Sequence, residues 1–111
     1  MLSYPYPELP HNEVEALGIT TSYRYAGRPD SPLVVLLHGM TSSADAYREV
    51  MHELAGEFWL IAPDLPGFGQ SGDTEPYTLP HLVEWLASFR EILELPEMIL
   101  VGHSFGGALA T

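Results

Sequence analysis

Leu33–Leu37 (LVVLL) is an unbroken apolar run between a turn cluster at residues 27–32 (GRPDSP) and the dipeptide His38-Gly39. A strand with one face in water alternates apolar with polar residues. A continuous run bounded by turn signals is instead a strand covered on both faces, as in a parallel sheet flanked by helices. Two more runs repeat the pattern: residues 58–62, followed by a glycine-rich loop over 63–72, and residues 98–101, followed by Gly102. Between them lie two amphipathic stretches. Ser42 or Ser43 offers an N-cap, and Tyr47, Val50, Met51, Leu54, Ala55 and Phe58 follow at helical spacing, with Gly56 as a stop. Thr78 and Pro80 open a second helix with the stripe Leu82, Trp85, Leu86, Phe89, Ile92 and Leu93, ended by Pro96. Strands alternating with helices of this length predict an α/β fold with a mostly parallel sheet.

Ahead of the first run, two β-leaning pieces flank Gly18. In the second, Ile19, Thr21, Tyr23 and Tyr25 alternate with Thr20, Ser22 and Arg24, the period of a half-buried strand. Residues 1–13, with Pro5, Pro7 and Pro10, read as an extended arm. Residues 14–111 read as part of a single domain.

Composition narrows the function classes. Fifteen acidic residues against four arginines give a net charge of −11, so no basic stripe exists to displace counterions from nucleic acid. There is no cysteine, hence no disulfide framework and no thiolate metal site. No apolar run approaches the roughly 20 residues of a membrane span. The first residues lack the basic start and apolar stretch of a signal peptide. The expectation is a cytoplasmic protein acting on a small molecule, with no cofactor, metal or nucleic-acid partner.

The chemistry concentrates at Gly102-His103-Ser104-Phe105-Gly106, where a buried-type strand turns into a helix. A serine there projects its hydroxyl clear of both elements only if the turn is tight, which requires small residues two places before and after it. Both are glycine, and Gly107 and Ala108 let a helix approach the sheet. This is the nucleophile-elbow pattern, with Ser104 as nucleophile. The second signal is His38-Gly39-Met40 at the end of the first apolar run. Attack on an ester or amide creates an oxyanion that needs two fixed donors about 2.7–3.1 Å away. The backbone N–H groups of Met40 and Phe105 are the natural pair. The alternative reading of Met40 is a core methionine.

At these residues the chain resembles the α/β-hydrolase superfamily. The resemblance runs from about Val14 onward and rests on LVVLLHG (33–39), APDLPGFGQS (62–71) and LVGHSFGG (100–107), in that order and spacing. It implies Ser104 as nucleophile, an oxyanion hole from the Met40 and Phe105 amides, and an oxyanion loop of the GX type. Serine at the elbow separates the chain from relatives with an Asp nucleophile, such as haloalkane dehalogenases and most epoxide hydrolases. Carboxylesterase, perhydrolase-type haloperoxidase, ring-cleavage-product hydrolase and acyltransferase stay open, as does a non-catalytic binding or receptor module of the same fold.

The implied mechanism also needs an acid and then a histidine after the serine. All five histidines, His11, His38, His52, His81 and His103, precede Ser104. His38 is expected to brace the oxyanion loop, His103 to leave the turn in another direction than Ser104, and the remaining three to be solvated. Acid and base are therefore expected outside this chain, which reads as the N-terminal half of an enzyme, inactive alone.

Three features have structural readings. Gly67-Phe68-Gly69-Gln70-Ser71-Gly72 matches G-x-G-x-x-G, but Pro63 to Pro66 separate it from the strand and two prolines follow, so no helix starts at its last glycine. Asp64 is tempting as a triad acid but precedes the serine in chain order, and the resemblance implies a structural place for it. Trp85 and Phe89 read as core, and Glu91, Glu94 and Glu97 as a solvated face.

Overall fold

The computed structural model describes residues 6–39, 42–75, 77–103 and 106. Five strands, β1 (His11–Ala16), β2 (Ile19–Ala26), β3 (Leu33–Leu37), β4 (Trp59–Pro63) and β5 (Met98–Gly102), form one sheet in the order β1-β2-β4-β3-β5. β1 pairs antiparallel with β2, β2 antiparallel with β4, and β3 parallel with both β4 and β5. Four of the five strands thus run one way and only β2 is reversed. The carboxyl ends of β3, β4 and β5 meet on one edge.

β3 is buried along its whole length, as the unbroken apolar run requires. Leu33, Val35 and Leu37 face one cluster with Ile61, Leu82, Trp85 and Phe89; Val34 and Leu36 face another with Ala44, Met51, Leu60 and Ala62. The first layer is closed by α2 (Leu79–Ile92), the second by a 3₁₀ turn (Ala44–Tyr47) running into α1 (Arg48–Leu54). Among the described residues no helix is long and apolar enough to cross a membrane.

Several local expectations shift. β1 begins at His11, so the last three residues of the expected arm are strand, and Leu9 is already buried. The Tyr25 N–H donating to the Pro10 carbonyl at 3.1 Å carries the pairing with β2 back to the arm. The β1–β2 turn is the pair Leu17-Gly18, both at positive φ (53° and 74°), as a two-residue hairpin of right-handed twist demands. On β2, Ile19, Thr21 and Tyr23 are buried as expected, but Ser22 is buried too and Tyr25 is 39% exposed. Ser22 lies where the β4 exit folds over β2: its carbonyl accepts the Asp64 N–H at 2.8 Å.

The first helix opens at Ser43, whose Oγ accepts the Asp45 N–H, not at Ser42. Its first turn is 3₁₀, with 3.0 residues per turn in place of 3.6, and this changes the phase of the stripe. Met51 is fully buried, whereas Val50 is 44% exposed. α2 ends before Pro96. Glu94 adopts φ 52°, the Leu95 N–H donates to the Arg90 carbonyl, and the Glu94 N–H donates to the Glu91 carbonyl. That is a Schellman cap with glutamate in the position glycine favours. Ile92, expected in the stripe, is left 51% exposed at this end, while Leu82, Trp85, Leu86 and Phe89 are buried.

Candidate active site

The site lies at the common carboxyl edge of β3 and β5. His38 follows β3 and is 1% exposed. Its Nε2 accepts the Leu65 N–H at 2.9 Å, so the ring proton sits on Nδ1, which donates to the Gly39 carbonyl at 2.7 Å. Burial holds the imidazole below its ordinary pKa, against the opposing pull of the Gly39 bond and the Asp64 charge. With its one lone pair occupied by Leu65, His38 cannot take a proton from a nucleophile. Its two hydrogen bonds tie the chain just after β3 to the chain just after β4.

The loop leaving Gly39 is closed at several points. The Gly39 carbonyl also accepts the Ser42 N–H at 3.3 Å. Asp64, 3% exposed after β4, accepts the Ala44 N–H on Oδ1 at 2.7 Å and the Gln70 N–H on Oδ2 at 3.0 Å. One carboxylate thus ties the start of the 3₁₀ turn to the glycine-rich loop. Gly69 is required there: at φ 54°, a Cβ would sit 2.3 Å from Asp64 Cγ. The chain continues from this loop into α2 only at Leu79. Phe68 from this loop packs edge-on to His38, with ring centroids 5.8 Å apart.

From β5, the His103 N–H donates to the Leu37 carbonyl at 3.1 Å, and the Gly106 N–H donates to the His103 carbonyl at 3.0 Å. A Cβ on Gly106 would lie 2.3 Å from the Leu37 oxygen and 2.5 Å from the His38 oxygen. Gly106 is therefore small because the end of β3 presses on it, a contact between distant segments that spacing within the motif did not reveal. Gly102 ends β5, and the His103 side chain is exposed. Ser104, Met40 and Phe105 lie outside the described residues.

His38, Gly39, Ser42, Ala46, Tyr47, Val50 and His103 line a cleft of about 300 Å³ beside this edge. Helical spacing places Tyr47 and Val50 in a core stripe, yet they form the cleft's helix-side wall. Tyr47 donates its hydroxyl to the Leu37 carbonyl at 2.8 Å, and burial raises its pKa. The signal available was chemical: a tyrosine in an apolar stripe needs a partner for its hydroxyl. The other histidines are engaged elsewhere, His11 with Arg24, His52 with the Pro7 carbonyl and His81 with Thr74.

The model of one protein family, described as alpha/beta hydrolase fold, matches residues 32–111. The chain belongs to that family. It is 35% identical over 104 residues to a haloalkane dehalogenase of Bradyrhizobium diazoefficiens, covering 93% of this chain and 34% of that protein. It is 38% identical over 87 residues to a pimeloyl-(acyl-carrier protein) methyl ester esterase of Edwardsiella ictaluri, covering 78% and 31%. The crystal structure of epoxide hydrolase VrEH1 from Vigna radiata superposes with a TM-score of 0.84 at 29% identity, over 92% of this chain and 34% of that one. The chain spans about a third of the length of these relatives. Among the described residues of this α/β-hydrolase chain no group of three or more His, Cys, Asp or Glu is placed to hold a metal ion.

Proposed function

We propose that this chain supplies the nucleophile and oxyanion-hole part of a serine hydrolase. In this reading residues 14–111 belong to one α/β-hydrolase domain of a longer polypeptide. Ser104 attacks a carboxylic ester, thioester, amide or activated C–C bond of a small molecule and forms an acyl-enzyme. The backbone N–H groups of Met40 and Phe105 receive the oxyanion, and His38 and Gly39 hold the loop that carries the first of them. The observation that carries the reading is the Leu37 carbonyl holding the His103 N–H. With the close approach of Gly106 to the Leu37 and His38 oxygens, it sets His103 and Gly106 against the end of β3, next to Gly39. Similar proteins include a haloalkane dehalogenase and an epoxide hydrolase as well as an esterase. Serine at position 104 favours acyl chemistry, since the resemblance drawn from the motifs sets the Asp-nucleophile enzymes apart.

Asp64 is not the triad acid in this reading, because backbone donors already hold both its oxygens. His38 is not the base. Acid and base come from the remainder of the polypeptide, and residues 1–111 alone are inactive.

The test is covalent labelling of the complete protein with a fluorophosphonate. The expected result is labelling that Ser104→Ala abolishes and that Asp64→Asn slows by no more than about tenfold, where loss of a triad acid costs about 10⁴. Labelling that survives Ser104→Ala rejects the nucleophile, and an unlabelled wild type favours the non-catalytic module.

A further inference from the structure

The wall of the cleft is held to the sheet by a hydrogen bond that acyl transfer does not itself use. Tyr47 stands where the 3₁₀ turn passes into α1. Its side chain lines the cleft, and its hydroxyl donates to the Leu37 carbonyl at 2.8 Å. The same oxygen accepts the His103 N–H at 3.1 Å, and a Cβ on Gly106 would lie 2.3 Å from it. One backbone oxygen thus joins the last residue of β3, the helix wall, and His103 and Gly106, which come before and after residue 104 in the chain. Each of its two donors comes from a different side of the cleft.

We propose that Tyr47 is a positioning residue for Ser104, fixing the turn against the oxyanion loop through the Leu37 carbonyl. The proposal rests on the serine-hydrolase reading above. The nucleophile works only when it stands about 3–3.5 Å from the carbonyl carbon, and a displacement of 1 Å can cost about a hundredfold. The chain after Gly39 and the chain after Gly102 are separate segments, and their spacing depends on what holds both to β3. Without the phenol, Leu37 keeps the His103 donor but loses its tie to the helix wall. The ring still lines the cleft, so substrate binding is preserved while alignment is not.

The variant is Tyr47→Phe in the complete protein, assayed with p-nitrophenyl butyrate and by amide hydrogen exchange. The expected result is a kcat lower by about tenfold, a KM within about twofold of wild type and an unchanged pH profile. Exchange of the His103 amide becomes faster in the variant. An unchanged kcat, or a raised KM at constant kcat, overturns the proposal, the latter by making the phenol a substrate contact. A displaced pH profile also overturns it, because Tyr47 would then carry a proton. If the wild type is not labelled by a fluorophosphonate, the serine reading fails by itself. Unchanged exchange at His103 rejects the positioning role whatever the labelling shows.

Discussion

His38 shows how much one side chain can organise. Its ring accepts from Leu65 and donates to Gly39, and both bonds require the neutral tautomer with the proton on Nδ1. Burial holds its pKa below the ordinary value of 6.5. The folded state therefore binds fewer protons than the unfolded chain between that lowered value and about 6.5. Stability tied to His38 is fully present above about pH 6.5 and is lost as pH falls toward the lowered pKa. In the complete protein, denaturant titrations at pH 7.5 and 5.5 should show a loss on acidification. His38→Asn, which keeps a donor and an acceptor but cannot titrate, should reduce that loss. An equal pH dependence in the two proteins would reject the assignment. At this scale the sequence marks His38 as the residue that ends a buried apolar run, and there it is found, itself buried. The sequence hides roles that arise between distant segments. Asp64 reads in sequence only as structural, because its partners Ala44 and Gln70 come together only through the β4 exit. Tyr47 is bonded to a carbonyl ten residues earlier, a contact that helical spacing cannot express.

The elements obey sequence pattern wherever burial alone decides them. All three apolar runs are strands, and Leu82, Trp85, Leu86 and Phe89 form the buried stripe of α2. Pattern fails where geometry departs from an ideal period: the 3₁₀ entry turns Val50 outward, and the Glu94 cap ends α2 before Pro96 can. The fit of α2 to the sheet has a polar component as well. Trp85, fully buried, stacks on Phe89 with centroids 6.0 Å apart, and its Nε1 donates to Thr21 Oγ1 at 2.9 Å. Thr21 in turn donates to the Ile19 carbonyl at 3.1 Å. Trp85→Phe removes the indole donor and part of the volume, yet Thr21 keeps one partner. The expected cost is about 1–3 kcal/mol by urea unfolding of the complete protein, from volume lost plus one hydrogen bond. A cost near zero would mean that α2 is anchored by its aliphatic residues alone.

At the scale of the whole molecule, β5 sets the behaviour of residues 1–111 as an isolated polypeptide. Among the described residues β5 pairs only with β3, so its other edge carries unpaired backbone groups. Met98 and Leu100 pack toward the α2 layer, whereas Ile99 and Val101 point to the opposite face and are 55% and 40% exposed. α1 covers β3 and β4 on that face, as Val34, Leu36, Leu60 and Ala62 show, but these two residues stay open. An apolar face beside an open edge favours strand addition between copies. The net charge of −11 opposes it. Repulsion between exposed charges is screened over about 10 Å at 0.1 M salt, so it weakens as salt is added while apolar burial does not. Residues 1–111 alone should therefore self-associate, and more so at 0.5 M than at 0.02 M sodium chloride, as read by sedimentation velocity. Ile99→Lys separates the two influences. It brings the net charge one unit nearer zero, which by charge alone would increase association, but it places a cation on the apolar face and should decrease it. Association that rises in the Lys variant would assign the effect to net charge. A wild-type polypeptide that stays monomeric at both salt concentrations and melts cooperatively would show that the open face of β5 is not a site of self-association.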